Sequence, residues 1–396
     1  MKKIIEFLDT KKCKENIFFI AYIILLVSLM INTSKFSEID IIKKCSHIFQ
    51  ILSCGIAMIK VFLDFKGEIK NKNKPKFTTI FFLMVMIISV IITKAKSIVY
   101  FAIFIIAAKD INFKKIAKIT LNVQILCLIV FIVSSQLGII ENYKIRRANK
   151  IRQALGSSSP NCLMLQIFQI IGLYLYVNRD KIKLYDIIVI LGMALIFYNI
   201  TDSRMGMIAI IFTVVGFGIV KIKRFNIMIK KTKILFKYCS VLLAILIIVL
   251  TFVYKEFNIT KLNSLLSNRL QLNVNAMEDY GITLFGSNIK WIGQTDSFKV
   301  IDENYNYVDS SYFKIMLNHG IILLGFILYC MIKIMDYSYK KEDYLLVVLL
   351  AISQVYCFFD SWLIAIQFNT FLFLLSDTLY PFKLNENKIL ESNTNE

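Results

Sequence analysis

Twelve stretches of mainly apolar residues follow one another along the chain, separated by polar connections: 17–31, 48–64, 77–93, 97–108, 119–138, 162–178, 184–200, 205–221, 236–254, 312–333, 344–359 and 361–380. Most have the length at which a helix crosses the hydrocarbon core of a bilayer, roughly 15–20 residues. The pattern predicts an all-α fold, a polytopic transmembrane helix bundle of about 12 spans forming a single integral membrane domain over 1–396. The fourth stretch is short, and Lys94 and Lys96 beside it would also suit the tip of a re-entrant hairpin. The longest polar segment, 255–311, is too small to hold much of a core of its own and is expected to cap the bundle on one side. The first stretch, Ile17–Ile31, has no small-residue cleavage site and would itself target the chain to the membrane.

Composition sharpens this picture. Hydrophobic residues make up 57% of the chain, above the roughly 45–50% of ordinary soluble domains. The formal net charge of +20 would suit nucleic acid, but the basic residues lie mostly in the connections, where orientation during membrane insertion accounts for them. With the N-terminus in the cytoplasm, 29 of the 47 basic residues fall inside and 16 outside, while Lys60 and Lys314 lie within spans. The seven in 221–237 are the strongest cytoplasmic marker. Both termini are therefore expected inside, with 146–161 and 255–311 outside. The eight cysteines are scattered without a CxxC pair and read as packing residues. The weight of Lys, Ile and Asn points to an AT-rich coding sequence and a bacterial source.

The two sides differ in kind as well as number. Only Arg179 and Arg224 stand among the inside basic residues, whereas Arg146, Arg147, Arg152, Arg204 and Arg269 stand outside. Lysine suffices for orientation; the planar fork of arginine suits phosphate. Arg146 and Arg147 also read as a solvated loop pair. Arg152 leads into QALGSSSPN, in which Gly156 permits unusual backbone and Pro160 can open a helix. Arg204 stands at a junction of two spans with Asp202 as a candidate partner. Asp309 falls at the outer edge of the tenth span, as a partly desolvated general base, as a helix cap, or both. His319 lies two to three turns further in, a candidate by its depth, although a neutral histidine bonded to a neighbouring helix is equally ordinary. His47 has no obvious partner, and two distant histidines make no zinc site. No metal and no cofactor is expected: DxD in the outer loops, P-loop, GxGxxG and GxSxG patterns are missing from the sequence.

Three stretches carry a resemblance. RQALGSSSPN (152–161), TDSRMG (201–206) and NRL…AMEDYGITLFG…VDSSY…GII (268–322) resemble the loops of Wzy-type oligosaccharide repeat-unit polymerases, within the O-antigen ligase/polymerase grouping. They touch about a quarter of the chain. Several members have a His- or Asn-containing pattern where this chain has Asp309-Ser310-Ser311, and His319 is shifted well along. The resemblance implies a polyprenyl-diphosphate-linked oligosaccharide as substrate outside the bacterial cytoplasmic membrane, and a flippase and chain-length regulator as partners. It implies that Arg204 and Arg269 hold the donor diphosphate and that Asp309, or else His319, takes the acceptor's proton. Arg147, Arg152, Gly156, Asn161, Asp202 and Tyr312 are then expected to bind substrate. A flippase for the same unit, a ligase and a non-enzymatic scaffold compete with this reading. Transporters use broken helices marked by Gly or Pro in mid-span, and none of Pro75, Pro160 and Pro381 falls there.

Overall fold

Long runs of Ile, Leu and Phe with no interior proline can form unbroken helices, and Pro160 stands where a proline costs nothing. It opens a helix behind Ser159, whose hydroxyl accepts the N–H of Cys162 at 3.1 Å. The computed structural model describes residues 10–70, 77–147, 150–257, 259–293 and 306–379, and it is 77% helical. The principal helices are α1 (Lys11–Asn32), α2 (Asp40–Lys70), α3 (Phe77–Thr93), α4 (Lys96–Ala107) and α5 (Phe113–Gln136). After a hairpin of β1 (Lys144–Arg147) and β2 (Lys150–Gln153) come α6 (Pro160–Val177), α7 (Leu184–Thr201), α8 (Arg204–Val220) and α9 (Lys223–Lys231). A short α10 (Lys233–Lys237) leads to α11 (Cys239–Phe257), and α12 (Thr260–Leu265) and α13 (Arg269–Tyr280) precede α14 (Ser311–Lys340) and α15 (Tyr344–Phe359).

Among the described residues seven helices are long and apolar enough to cross a membrane, or eight if the bent pair α8–α9 counts as one span. Three shorter apolar helices (α3, α4 and α15) pack beside them. The outer surface is that of a protein in lipid. Along α7 only Ile190, Ala194 and Thr201 are buried, and Leu184, Ile188 and Ile196 face outward. The interior is built on α6, α14 and α15, with an aromatic knot in which Tyr22 meets Phe373 edge to face at 4.9 Å. An apolar bundle with connecting polar ends belongs in a membrane.

Side-chain contacts sort the connections into two ends. At one end Thr33 accepts from the N–H of Ser158, Thr201 from Arg152, and Asp309 from Arg269. At the other, Glu15 pairs with Lys115, Asp343 with Arg179 and Asp336 with Lys237. Lys60, counted among apolar neighbours in the sequence, is buried at this far end, where it donates to Asp64 and the Lys109 carbonyl, both at 2.7 Å.

Two departures from regular spans matter. First, α14 breaks at Gly320 (φ 87°, ψ 168°), nine residues below its start. No proline marks the site, so an expectation of unbroken spans based on proline fails here. The segment after α13 descends to the break. Thr283 and Leu284 carbonyls accept the N–H groups of Ile321 and Ile322 at 3.1 and 3.2 Å, and Ser287 donates to the Leu317 carbonyl. Gly286 and Gly320 allow the approach. A Cβ on Gly320 would run into the Leu284 carbonyl, and one on Gly286 into that of Asn318. Backbone freed by the break is thus paired within the protein, as the membrane interior demands.

Second, the expected twelfth helix, 361–380, does not form. Residues 361–369 have no regular structure, and only a 3₁₀ turn (Thr370–Leu374) and α16 (Leu375–Leu379) follow. The chain still runs from one end to the other. Asp360 stands near Arg269, Gln367 accepts from Gln124 at 2.5 Å, and the Leu379 carbonyl accepts from Thr79 at 3.1 Å. It can do so because it is enclosed: Leu363, Ile366, Phe368 and Leu372 are buried, and Asn369 bonds back to the Leu363 carbonyl.

Candidate functional site

The end carrying 137–147, 150–159, 259–293 and 306–310 also carries the candidate residues. Arg269 opens α13 behind two residues in left-handed conformation, Ser267 and Asn268. α13 is held down by Asn273, which donates to Thr251 at 3.0 Å, and by Tyr254, which donates to Gln271 at 2.6 Å. The Arg269 Nε then meets Asp309 Oδ2 at 2.8 Å, with the side chains 20% and 27% exposed. Asp309 therefore does not cap α14; Ser310 occupies the cap position, without a side-chain bond to the helix.

A second carboxylate, not singled out from the sequence, completes the cluster. Asp360 follows α15 directly, in the connection beyond that helix. Ser311 stitches this connection to the start of α14: its hydroxyl donates to the Asp360 carbonyl at 2.5 Å and accepts the N–H groups of Trp362 and Leu363 at 2.9 and 3.1 Å. Burial, and then the charge of Asp309, push the Asp360 carboxyl up to about 7, against the opposing pull of the Ser361 N–H, Arg269 and Lys314. Lys314, one turn into α14, lies 3.6 Å above the Tyr307 ring and 3.3 Å from the Ser361 hydroxyl. Below it is a cavity of about 260 Å³ bounded by Tyr100, Trp291, Asn318, His319, Ser361 and Gln367. Among the described residues no three of His, Cys, Asp or Glu come together to hold a metal ion.

The other expected residues divide. Arg204 begins α8 and is exposed. Two residues on, Gly206 packs against Met164 and Tyr356, and Tyr356 is close enough to Asp360 and Arg269 to feel both charges. The starts of α6, α8 and α13 and the end of α15 therefore converge. Arg152 is buried, donating to the Thr201 carbonyl and to Asn161 Oδ1, both at 2.6 Å. It braces the hairpin against α6 and α7, and Asn161 is its partner. Asp202, in left-handed backbone, lies 3.8 Å from Lys150, so Lys150 rather than Arg204 is its pairing partner. Arg147 is at the hairpin tip, backbone-paired with Lys150, and its side chain lies outside the described residues.

Two of the residues expected to bind substrate are buried. Tyr312 is fully buried, its hydroxyl donating to the Gln354 carbonyl at 2.9 Å, and has no surface to offer. Gly156 is buried too, and its carbonyl accepts the Lys35 N–H at 2.8 Å; it joins two connections. His319 takes the ordinary form, bonded to Ser89 on α3 at 3.2 Å and to Asn318 at 3.1 Å, although it lines the cavity. A signal for Asp360 was present: Asp-Ser pairs recur at 202–203, 296–297, 309–310 and 360–361, and those among the described residues all stand at this end of the bundle. Lys314 was hidden by counting it as part of a span.

Comparison with protein families, with curated proteins and with solved structures finds no match.

Proposed function

We propose that the chain is a polymerase of the cytoplasmic membrane of a bacterium, with twelve crossings and both termini inside. It joins polyprenyl-diphosphate-linked oligosaccharide units outside that membrane. The reading is carried by the meeting of Arg269, Asp309, Asp360 and Lys314, from three separate segments, at the mouth of a cavity in an apolar bundle. The acceptor hydroxyl passes its proton to Asp360, whose raised affinity for protons suits it to that work near neutral pH. The hydroxyl oxygen bonds to the donor's anomeric carbon, and the bond from that carbon to the diphosphate oxygen breaks. The diphosphate leaves with the electron pair, and Arg269 and Arg204 hold its charge. Fixed guanidinium groups supply that neutralisation without a metal. Asp309 aims Arg269, and Lys314 and Trp291 hold a sugar at the cavity.

In vesicles supplied with purified lipid-linked units, the wild-type chain is expected to lengthen glycans, and Arg204→Lys to lose most lengthening while inserting normally. Unchanged chain lengths in that variant would refute the phosphate grip. The break at Gly320 favours a second reading, a transporter of the same unit, because broken helices line transport sites. A transporter moves labelled lipid across the vesicle membrane and leaves its length unaltered.

A further inference from the structure

The segment between α8 and α11 lies across the far end of the bundle, away from the site. α9 leaves α8 at 109°, so it runs nearly perpendicular to the spanning helices. Spanning helices at both of its ends keep it at the bilayer boundary. It carries seven basic residues: Lys221 donates to the Arg179 carbonyl at 2.6 Å, and the other six have two different fates. Lys233 and Lys237 both reach Asp336, at 3.6 and 2.7 Å, and Lys230 reaches Glu342 at 3.7 Å. With buried Ile229, whose carbonyl accepts the Tyr339 hydroxyl at 3.0 Å, these contacts tie the segment to the end of α14. Lys223, Arg224 and Lys231 are exposed and have no ion-pair partner among the described residues. Beside them Ile222, Ile227, Met228, Ile234 and Leu235 are 51–75% exposed.

Large apolar side chains interleaved with unpaired cations, on a helix lying flat at the membrane boundary, match one surface. That surface is an acyl layer edged with phosphate. We infer that 221–237 is an interfacial strap whose Lys223, Arg224 and Lys231 bind the headgroup phosphates of anionic lipids while its exposed Ile, Met and Leu side chains enter the acyl boundary. The ion pairs to Asp336 and Glu342 position the strap and leave the other three charges for the lipid. This inference does not depend on the glycosyl-transfer reading.

The full chain is placed in nanodiscs of phosphatidylcholine alone or mixed with phosphatidylglycerol, and the lipids retained on gentle release are counted by native mass spectrometry. Wild-type protein is expected to enrich phosphatidylglycerol and to show a higher Tm in the mixed discs. The triple variant K223Q/R224Q/K231Q should match wild type in neutral discs and lose most of both effects, with enrichment falling about fivefold or more, the weight of at least one basic residue at an anionic surface. Equal enrichment in the variant would overturn the inference, as would an equal rise in Tm from inorganic phosphate in neutral discs. A second measurement needs no charge change: the fluorescence of Ile227→Trp should be quenched by brominated lipid and shielded from iodide. Quenching by iodide alone would put this face in water, where a soluble protein partner rather than lipid would cover it.

Discussion

Arg269 and Asp309 form a partly exposed pair, and such pairs contribute only about 0–1 kcal/mol to stability. The pair can therefore open for a phosphate at little cost. Asp309→Asn is expected to shift the unfolding temperature slightly yet to reduce glycan lengthening by at least tenfold, because Arg269 loses its aim; equal losses in both would make the pair merely structural. Asp360 carries the sharper expectation. As the base it must be unprotonated, so lengthening should rise with pH through about 7, and Asp360→Asn should abolish it. The sign for stability is opposite. A carboxyl raised from 3.8 to about 7 in the folded protein stabilises the fold fully below pH 3.8, and that contribution drains away as pH climbs through about 7. Asp360→Asn should flatten this part of a Tm-against-pH curve; an unchanged slope would assign the slope elsewhere. At this scale the sequence was legible where charge stood out in a polar loop, as at Arg269 and Asp309. It was opaque where a single polar residue sat among apolar neighbours, as at Asp360 and Lys314, because hydropathy averages such residues away.

Helices were legible in proportion to their length. The apolar runs that became α1, α5, α6, α8, α11 and α14 announced themselves, and the polar ends that extend α2 to Asp40 and Lys70 did not. Hydropathy reports how well a segment tolerates lipid, not whether its backbone bonds stay within it. The break in α14 depends on a distant partner, the segment around Gly286, and no local pattern shows that pairing. Gly320→Ala tests it. An alanine at φ 87°, facing the Leu284 carbonyl, should cost about 1–3 kcal/mol and lower the unfolding temperature of the purified protein by several degrees. A neutral or stabilising result would mean that α14 runs straight through.

For the molecule as a whole, the counting of lysines and the contacts of the folded chain bear on the same question from different directions. Charge counting divides the connections into two sets by orientation, and ion pairs and hydrogen bonds divide them by place. A membrane-impermeant maleimide checks the division. Cysteines introduced at Lys150 and Lys230 of the intact cell's protein, with Cys45 replaced, should label oppositely: the first from outside, the second only after the membrane is opened. Labelling of both from one side would undo the topology. The segment from Asp360 to Leu379 adds a constraint on biogenesis. A helix can enter the bilayer alone because its backbone is already paired, but a stretch without regular structure would carry bare amide groups into oil, each at several kcal/mol. It can be threaded only into a cradle already assembled from α1, α3, α4, α5 and α14. This segment therefore closes the bundle only once the cradle stands, and a nascent chain arrested before Asp360 would wait in the membrane with an open slot.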